Sequence, residues 1–161
     1  MSDGDELPEN VTTYRVPAAR LVHAPRGEML PTQQAFALSS PERAARDRGE
    51  IVRVSVWDAR KISPEDAKAQ RTGAGTFMVF TLPVNVVRII AATELHPGLR
   101  VVEDREGAPE AAPHFICDAH AGIEGLAGKE SKVKMATIRA KLADACQLCV
   151  LPNDRDGAAA T

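Results

Sequence analysis

The segment from Ile51 to Trp57 constrains the fold of this 161-residue chain more than any other part of it. Its residues alternate, so that Val52, Val54 and Val56 share one face while mixed residues occupy the other. A face made only of valine predicts a β-strand with one side in a hydrophobic core. Such a strand requires neighbouring strands and a second layer that covers the valine face.

Other segments supply these neighbours. β-Branched, aromatic and other apolar runs predict further strands, at 11–16, 76–82, 99–102 and 114–117, with a weaker one at 34–38. Serine caps, prolines in a first turn and apolar residues spaced by three or four predict helices, at 41–48, 63–71, from Pro83 onward, and over 129–148.

Strands and helices follow one another without a strict β-α-β rhythm, which favours an α+β fold. We predict a compact single domain over residues 11–151. It would contain a small mixed sheet of about five strands packed against a long C-terminal helix. Residues 1–10 and 152–161 lack an apolar pattern and are predicted to be disordered tails.

The composition, 44% hydrophobic and 26% charged with a formal net charge of -2, is that of an ordinary soluble domain. This charge gives no electrostatic argument for a nucleic acid or an anionic membrane. No apolar run approaches the roughly 20 residues that cross a bilayer. An odd number of cysteines and an acidic N-terminus argue against a secreted disulfide framework. We therefore predict a cytoplasmic protein without a membrane or nucleic-acid partner, and the oligomeric state stays open.

The cysteines and one histidine match a metal-site spacing. Cys117 and His120 lie three residues apart, as do Cys146 and Cys149. Two such pairs can place four ligands around a structural zinc, the one cofactor that the sequence suggests. Cys149, with Cys146 at its edge, also fits the apolar stripe of the predicted C-terminal helix. Free cysteines are often buried, which predicts core residues instead. A redox pair of Cys146 and Cys149 is a third interpretation, weakened by its position at a helix C-terminus.

A second candidate site lies between Asp118 and Lys129, in a glycine-rich segment that the sequence predicts to be a loop. Histidine can act as a general acid or base near neutral pH, and a flanking carboxylate can orient it. Glycines and a lysine before a helix can also hold an anion. The alternative is a polar turn with a surface histidine. The predicted ligand-binding residues are Asp118, His120, Gly122, Glu124, Gly125 and Lys129.

The predicted C-terminal helix is basic, with residues Lys129, Lys132, Lys134, Arg139 and Lys141. A solvated helix face explains these charges most simply. Aromatic residues for base stacking are absent from the helix. If the face has a partner, an acidic protein surface is therefore as good a candidate as a phosphate backbone.

Three functions follow from these patterns. The first is a small accessory or binding module of a bacterial cytoplasm, which acts through a partner protein or ligand at the His120 loop. The second is a small enzyme or ligand-binding protein that uses His120 with Asp118 or Glu124. The third is a domain with a structural zinc. No residue matches a known catalytic motif, so no catalytic residue is predicted.

Overall fold

The computed structural model describes residues 5–71, 76–108, 114–128 and 131–151. Within these ranges the strands, in chain order, are β1 (Thr12–Arg15), β2 (Val22–His23), β3 (Leu30–Pro31), β4 (Val54–Asp58), β5 (Val79–Pro83), β6 (Arg100–Glu103), β7 (His120–Glu124) and β8 (Gln147–Cys149). The α-helices are α1 (Ser40–Asp47), α2 (Pro64–Ala69), α3 (Val84–Thr93), α4 (His114–Cys117) and α5 (Lys132–Ala145). Short 3₁₀ helices lie at Ala19–Leu21, Gln33–Phe36 and Arg105–Gly107.

One six-stranded sheet, in the order β6-β7-β4-β1-β5-β8, forms the centre of the domain. Each neighbouring pair in it is antiparallel. The short strands β2 and β3 pair separately. The α+β class is confirmed, but the sheet has one strand more than predicted and its pairing is antiparallel, not mixed. The predicted strand at 51–57 corresponds to β4, which lies inside the sheet between β7 and β1.

The valine face of β4 lies in the main hydrophobic core, as the alternation predicts. Val54 and Val56 are buried there, beside Ala121 and Ile123 of β7. Helices α3 and α5 and the 3₁₀ helix Gln33–Phe36 cover this face, and α5 contacts both of the other two. The long C-terminal helix therefore closes the main core.

The opposite face of the sheet carries a second, smaller apolar cluster. Trp57 of β4 lies in it with Val16, Val79 and Ile116, and all four are buried. This cluster covers only part of the face, and polar side chains of β4 and β7 occupy the rest.

Two helix starts follow from their capping residues, as predicted. The Ser39 side chain accepts a hydrogen bond from the Glu42 amide, and Glu42 accepts one from the Ser39 amide, which makes a capping box before α1. Ser63 caps α2 in the same position, ahead of Pro64. Helix α3 begins after Pro83, as expected. Among the helices of the described residues, none is both long enough and apolar enough to cross a lipid bilayer.

The predicted loop from Asp118 to Gly128 is wrong in its first half, because residues 120–124 form strand β7. β7 pairs with β4 on one side and with β6 on the other. Two flanking ladders stabilise an extended backbone even where glycine weakens the local preference for a strand.

Three other local predictions differ from the structure. Residues 33–36 form a 3₁₀ helix where the sequence predicts a strand, and residues 114–117 form helix α4 where it predicts another. Helix α5 ends at Ala145, earlier than predicted, and residues 147–149 become the edge strand β8. Backbone pairing with β5 determines this change, and β5 lies more than 60 residues away in sequence.

The described part of the predicted N-terminal tail lies against the sheet. Leu7 is buried, and its amide donates a hydrogen bond of 2.9 Å to the carbonyl oxygen of Val101. Glu6 forms an isolated bridge with Val102. Residues 1–4 and the predicted tail at 152–161 lie outside the described residues.

Candidate anion-binding site

The polar face of β7 brings together part of the predicted ligand set. His120, Gly122 and Glu124 alternate along the strand and share the face opposite the main core. Arg53, which precedes β4, crosses this face: an added Cβ on Gly122 would lie 2.5 Å from the Cβ of Arg53. Gly122 is therefore a position of close side-chain approach, where an added Cβ would meet the side chain of Arg53.

The two carboxylates beside the Arg53 side chain, those of Asp104 and Glu124, both form ion pairs with it. Arg53 lies between Glu124, at 2.7 Å, and Asp104, at 3.0 Å. The other oxygen of Glu124 pairs with Arg100 at 2.8 Å. Although burial opposes it, hydrogen bonding to Arg53 and Arg100 holds the pKa of Glu124 below its usual range. This cluster is a self-neutralised network that holds β4, β7 and the end of β6 together.

His120 is enclosed in the same network. Its Nδ1 lies 2.7 Å from the carbonyl oxygen of Asp104, and its Nε2 lies 3.0 Å from the hydroxyl of Ser55. A carbonyl oxygen only accepts, so Nδ1 carries the proton and Nε2 accepts from Ser55. The ring also contacts Trp57 edge to face, with centroids 4.7 Å apart. Both ring nitrogens are engaged, and the ring holds strands together.

The remaining predicted ligand residues lie elsewhere or serve the backbone. Asp118 pairs with Arg105 at 2.5 Å. Gly125 has a positive φ of 95° and lies against the backbone of Gly98. Lys129 lies outside the described residues. The structure therefore gathers only His120, Gly122 and Glu124 of the predicted set.

The predicted zinc ligands are not gathered around one point. Among the residues that the structure describes, no group of three or more His, Cys, Asp or Glu side chains could hold a metal ion. Cys146 is buried and donates to the carbonyl oxygen of Leu142, and burial raises the pKa of its thiol to about 12. Cys149 lies beside the Trp57 cluster, on the other face of the sheet. For Cys146, the interpretation as a core residue therefore agrees with the structure; Cys117 lies in α4.

Burial of His120 predicts a pH-dependent stability. Burial lowers the pKa of the imidazole, against the opposing effect of Asp104. Below the unfolded-state value near 6.5, the unfolded chain therefore binds a proton that the folded chain does not bind. We expect the free energy of unfolding to fall between pH 7 and pH 5, by at most about 1.4 kcal/mol per pH unit. Urea unfolding at each pH measures it.

The His120→Gln variant is the matched comparison for this pH dependence. Glutamine keeps a donor and an acceptor but does not titrate. We expect the variant to lose most of the slope between pH 7 and pH 5. Glu124 does not mask the result, because its stabilising contribution is lost only below about pH 4.5. An unchanged slope in the variant would show that another group titrates.

A cavity of about 550 Å³ lies on the other side of the sheet, near the start of β4. Arg15, Arg20 and Arg71 line it, and Glu42 is the acidic residue in its wall. Arg71 also lies over the ring of Phe77, at 4.9 Å. Burial lowers the pKa of Arg71. The cavity wall is thus rich in guanidinium groups.

Arg15 is the most unusual of these residues, because it is a strand residue on the core side. Its Nε and Nη2 donate to the carbonyl oxygen of Ala35, at 3.0 and 2.6 Å, and its Nη1 donates to that of Ser55, at 3.1 Å. The guanidinium also lies over the ring of Phe36, at 5.8 Å. Burial, with the nearby charge of Arg71, lowers the pKa of Arg15 to about 10. Its hydrogen-bond acceptors are neutral carbonyl groups.

A second cavity, of about 650 Å³, adjoins the first. Arg43 and Arg46 of α1 and Lys132 and Arg139 of α5 line it, and the described residues of its wall include no aspartate or glutamate. The Nε of Arg139 is buried and has no hydrogen-bond partner among the described residues. The two cavities share the wall residues Gln34, Ala37 and Leu38.

Charge pairing separates these cavities from the rest of the surface. Outside them, most arginines and one lysine of the described residues pair with carboxylates, namely Arg48, Arg53, Arg60, Arg88, Arg100, Arg105 and Lys141. Inside them, Arg46 pairs only with its neighbour Asp47, at 3.2 Å. The other cations of the walls form no ion pair within the described ranges. The net charge of the whole chain conceals this concentration of unpaired positive charge.

The sequence indicated Lys132 and Arg139 only as part of a basic helix face. The arginines of the first cavity were not predicted as site residues, although one signal was present. In a strand at 11–16, Arg15 shares its face with Val11 and Thr13, and Val11 lies in the main core. A charged residue on the core face of a strand is costly unless something compensates it. Arg139 gave no comparable signal, because it lies among several basic residues on one helix.

Comparison with protein-family models, with curated protein sequences and with solved structures gave no match for this chain. The fold and the cavities therefore define the class of protein by themselves. It is a small α+β domain with two adjoining cationic cavities.

Proposed function

We propose that this protein is a binding module for an anionic ligand, and that the cavity lined by Arg15, Arg20 and Arg71 holds the anionic group. The observation that supports the proposal most directly is Arg15. Its guanidinium is buried enough to lower its pKa, and no carboxylate among the described residues lies in ion-pair contact with it. The charge of Glu42 in the same wall offsets the effect of burial only in part. A phosphate or carboxylate in the cavity would supply a directly paired counter-charge.

The energetics favour such a ligand. A charge that is moved out of water loses solvation, and a nearby opposite charge restores part of that free energy. Arg15 has five N–H donors, of which the bonds to Ala35 and Ser55 use three. The remaining donors, with Arg20 and Arg71 in the same wall, can contact a phosphate or carboxylate through charge-assisted hydrogen bonds.

This proposal keeps the predicted class of binding module but moves its site away from His120. His120 would have to break a hydrogen bond before it could bind a ligand or transfer a proton, and it faces a neutralised network. The enzyme and zinc alternatives therefore receive no support from the geometry of these residues. The cytoplasmic location stays a prediction from the sequence.

The test is thermal unfolding of the protein with and without pyrophosphate. For a ligand at about 100 times its Kd, we expect a stabilisation of about 2.7 kcal/mol, which raises the Tm by roughly 5 °C or more. In Arg15→Met and in Arg71→Met the anion-induced rise should be lost or strongly reduced. Arg71 is more exposed than Arg15, so its variant tests the cavity with less effect on folding.

Arg48→Met is the matched control. It also removes one arginine near α1, but Arg48 is exposed and pairs with Glu50 at 2.5 Å. This variant should keep the full anion-induced rise in Tm. Anions also stabilise proteins generally by exclusion from their surface. An equal rise in all four proteins would therefore contradict the proposed site.

A further inference from the structure

We infer that the natural ligand is an acidic peptide segment of a partner protein, containing apolar residues, that crosses both cavities. This inference rests on the proposed function and adds to it the class of ligand and the second half of the site. The two cavities share one wall, formed by Gln34, Ala37 and Leu38. A ligand anchored at Arg15 can therefore continue over this segment and reach Arg139.

The charges of the two walls match a ligand with several anionic groups along its length. The first cavity presents Arg15, Arg20 and Arg71, and the second presents its own arginines and Lys132. Glu42 is the acidic residue among these lining residues, and its side chain already accepts from the Ser39 amide at 2.7 Å. A single small anion would leave one of the two cavities without counter-charge.

The apolar parts of the walls distinguish a peptide from a nucleic acid. Leu21 and Leu38 line the first cavity, and Leu38, Leu126 and Met135 line the second. No aromatic side chain is among the described residues that line either cavity. Single-stranded nucleic acids are commonly held by bases stacked on aromatic side chains. Aliphatic walls between cations instead suit a segment in which leucine-like residues separate acidic ones.

Arg139 gives the second cavity its own unsatisfied donor. Its Nε is buried without a hydrogen-bond partner among the described residues. Buried donors without partners are uncommon in folded proteins and require an explanation. A glutamate or aspartate side chain of the bound segment would accept from this guanidinium.

The test is a binding titration by fluorescence anisotropy. The probe is a labelled peptide of about ten residues that mixes glutamate and leucine, roughly 33 Å long when extended. We expect Arg15→Met and Arg139→Met each to weaken its binding about tenfold. Arg48→Met should leave the affinity unchanged. Circular dichroism confirms that each variant is folded, and Lys132→Met, exposed in the first turn of α5, replaces Arg139→Met if that variant unfolds.

Two further probes identify the class of ligand. A peptide with glutamine in place of glutamate should bind at least about tenfold more weakly, and so should one with serine in place of leucine. An oligothymidylate of the same length should bind more weakly than the acidic peptide. Tighter binding of the oligothymidylate, or of the serine peptide, would overturn the inference.

The outcomes separate this inference from the proposed function. If pyrophosphate stabilises the protein through Arg15 but Arg139→Met leaves peptide binding unchanged, the second cavity is not part of the site and the inference fails alone. If neither pyrophosphate nor the peptide depends on Arg15, both fail. If both probes depend on Arg15 and only the peptide depends on Arg139, both are supported.

Discussion

Replacement of Arg53 by methionine should lower the free energy of unfolding by about 3 kcal/mol. The side chains of Arg53, Asp104 and Glu124 are only 13%, 16% and 15% exposed. Methionine fills the space over Gly122, but it leaves both carboxylates largely buried and with one cation fewer. Removing one partner of such a pair costs more than the pair contributes, because the remaining charge stays desolvated. Urea unfolding at pH 7 measures the change.

Arg100→Met is the control for this result. Arg100 pairs with the same Glu124 but is 43% exposed, so water compensates its loss and we expect a cost below about 1 kcal/mol. The double variant Arg53→Met/Glu124→Gln should be more stable than the sum of the two single changes predicts. Equal effects of the Arg53 and Arg100 changes would contradict the role of Arg53 as the central ion of the network.

Replacement of Gly125 by alanine should lower the free energy of unfolding by roughly 3 kcal/mol. The φ of Gly125 is 95°, in a region that residues with a Cβ rarely adopt. An added Cβ would also lie 2.6 Å from the carbonyl oxygen of Gly98, which is backbone and cannot rotate away. Any relief would displace the Gly125 carbonyl, which is hydrogen-bonded to His96 at 2.7 Å. Chemical denaturation measures the change.

Gly49→Ala separates the two causes. Gly49 has a similar φ of 82°, but nothing lies within 4 Å of an added Cβ. Its variant should therefore show the backbone strain alone, about 1 kcal/mol. The difference between the stability losses of the two variants measures the steric clash of the Gly125 substitution with the backbone of Gly98. If both lose the same stability, the contact with Gly98 contributes nothing.

Local elements with a strong periodic or capping signal could be predicted from the sequence. The valine alternation predicted β4 and its buried face. A serine cap at Ser39 or Ser40 predicted the start of α1, where the structure shows Ser39 as the cap, and Ser63 predicted the start of α2. The helix after Pro83 follows from the preference of proline for a helix start over a central strand. Each of these signals lies within a few residues of the element it determines.

Elements that depend on distant partners were not predicted. The sequence of β7 predicts a glycine-rich loop, whereas pairing with β4 and β6 keeps the strand extended. The sequence of β8 predicts the end of a helix, whereas its pairing with β5 makes these residues a strand. The same dependence explains why the sequence did not reveal the network around His120. Its hydrogen-bond partner Ser55 is 65 residues away in sequence, and Glu124 of the same strand pairs with Arg53, 71 residues away.

The sequence by itself determined the α+β class, the covered sheet and the capped helices, because alternation, caps and prolines act through the backbone over a few residues. Only the tertiary structure decided where the charges meet. Arg15 and Arg139 lie at opposite ends of the chain, and the fold places them in adjoining cavities. The pairing of cations depends on three-dimensional distance, since a Coulomb interaction falls with separation in space and does not depend on position in the sequence.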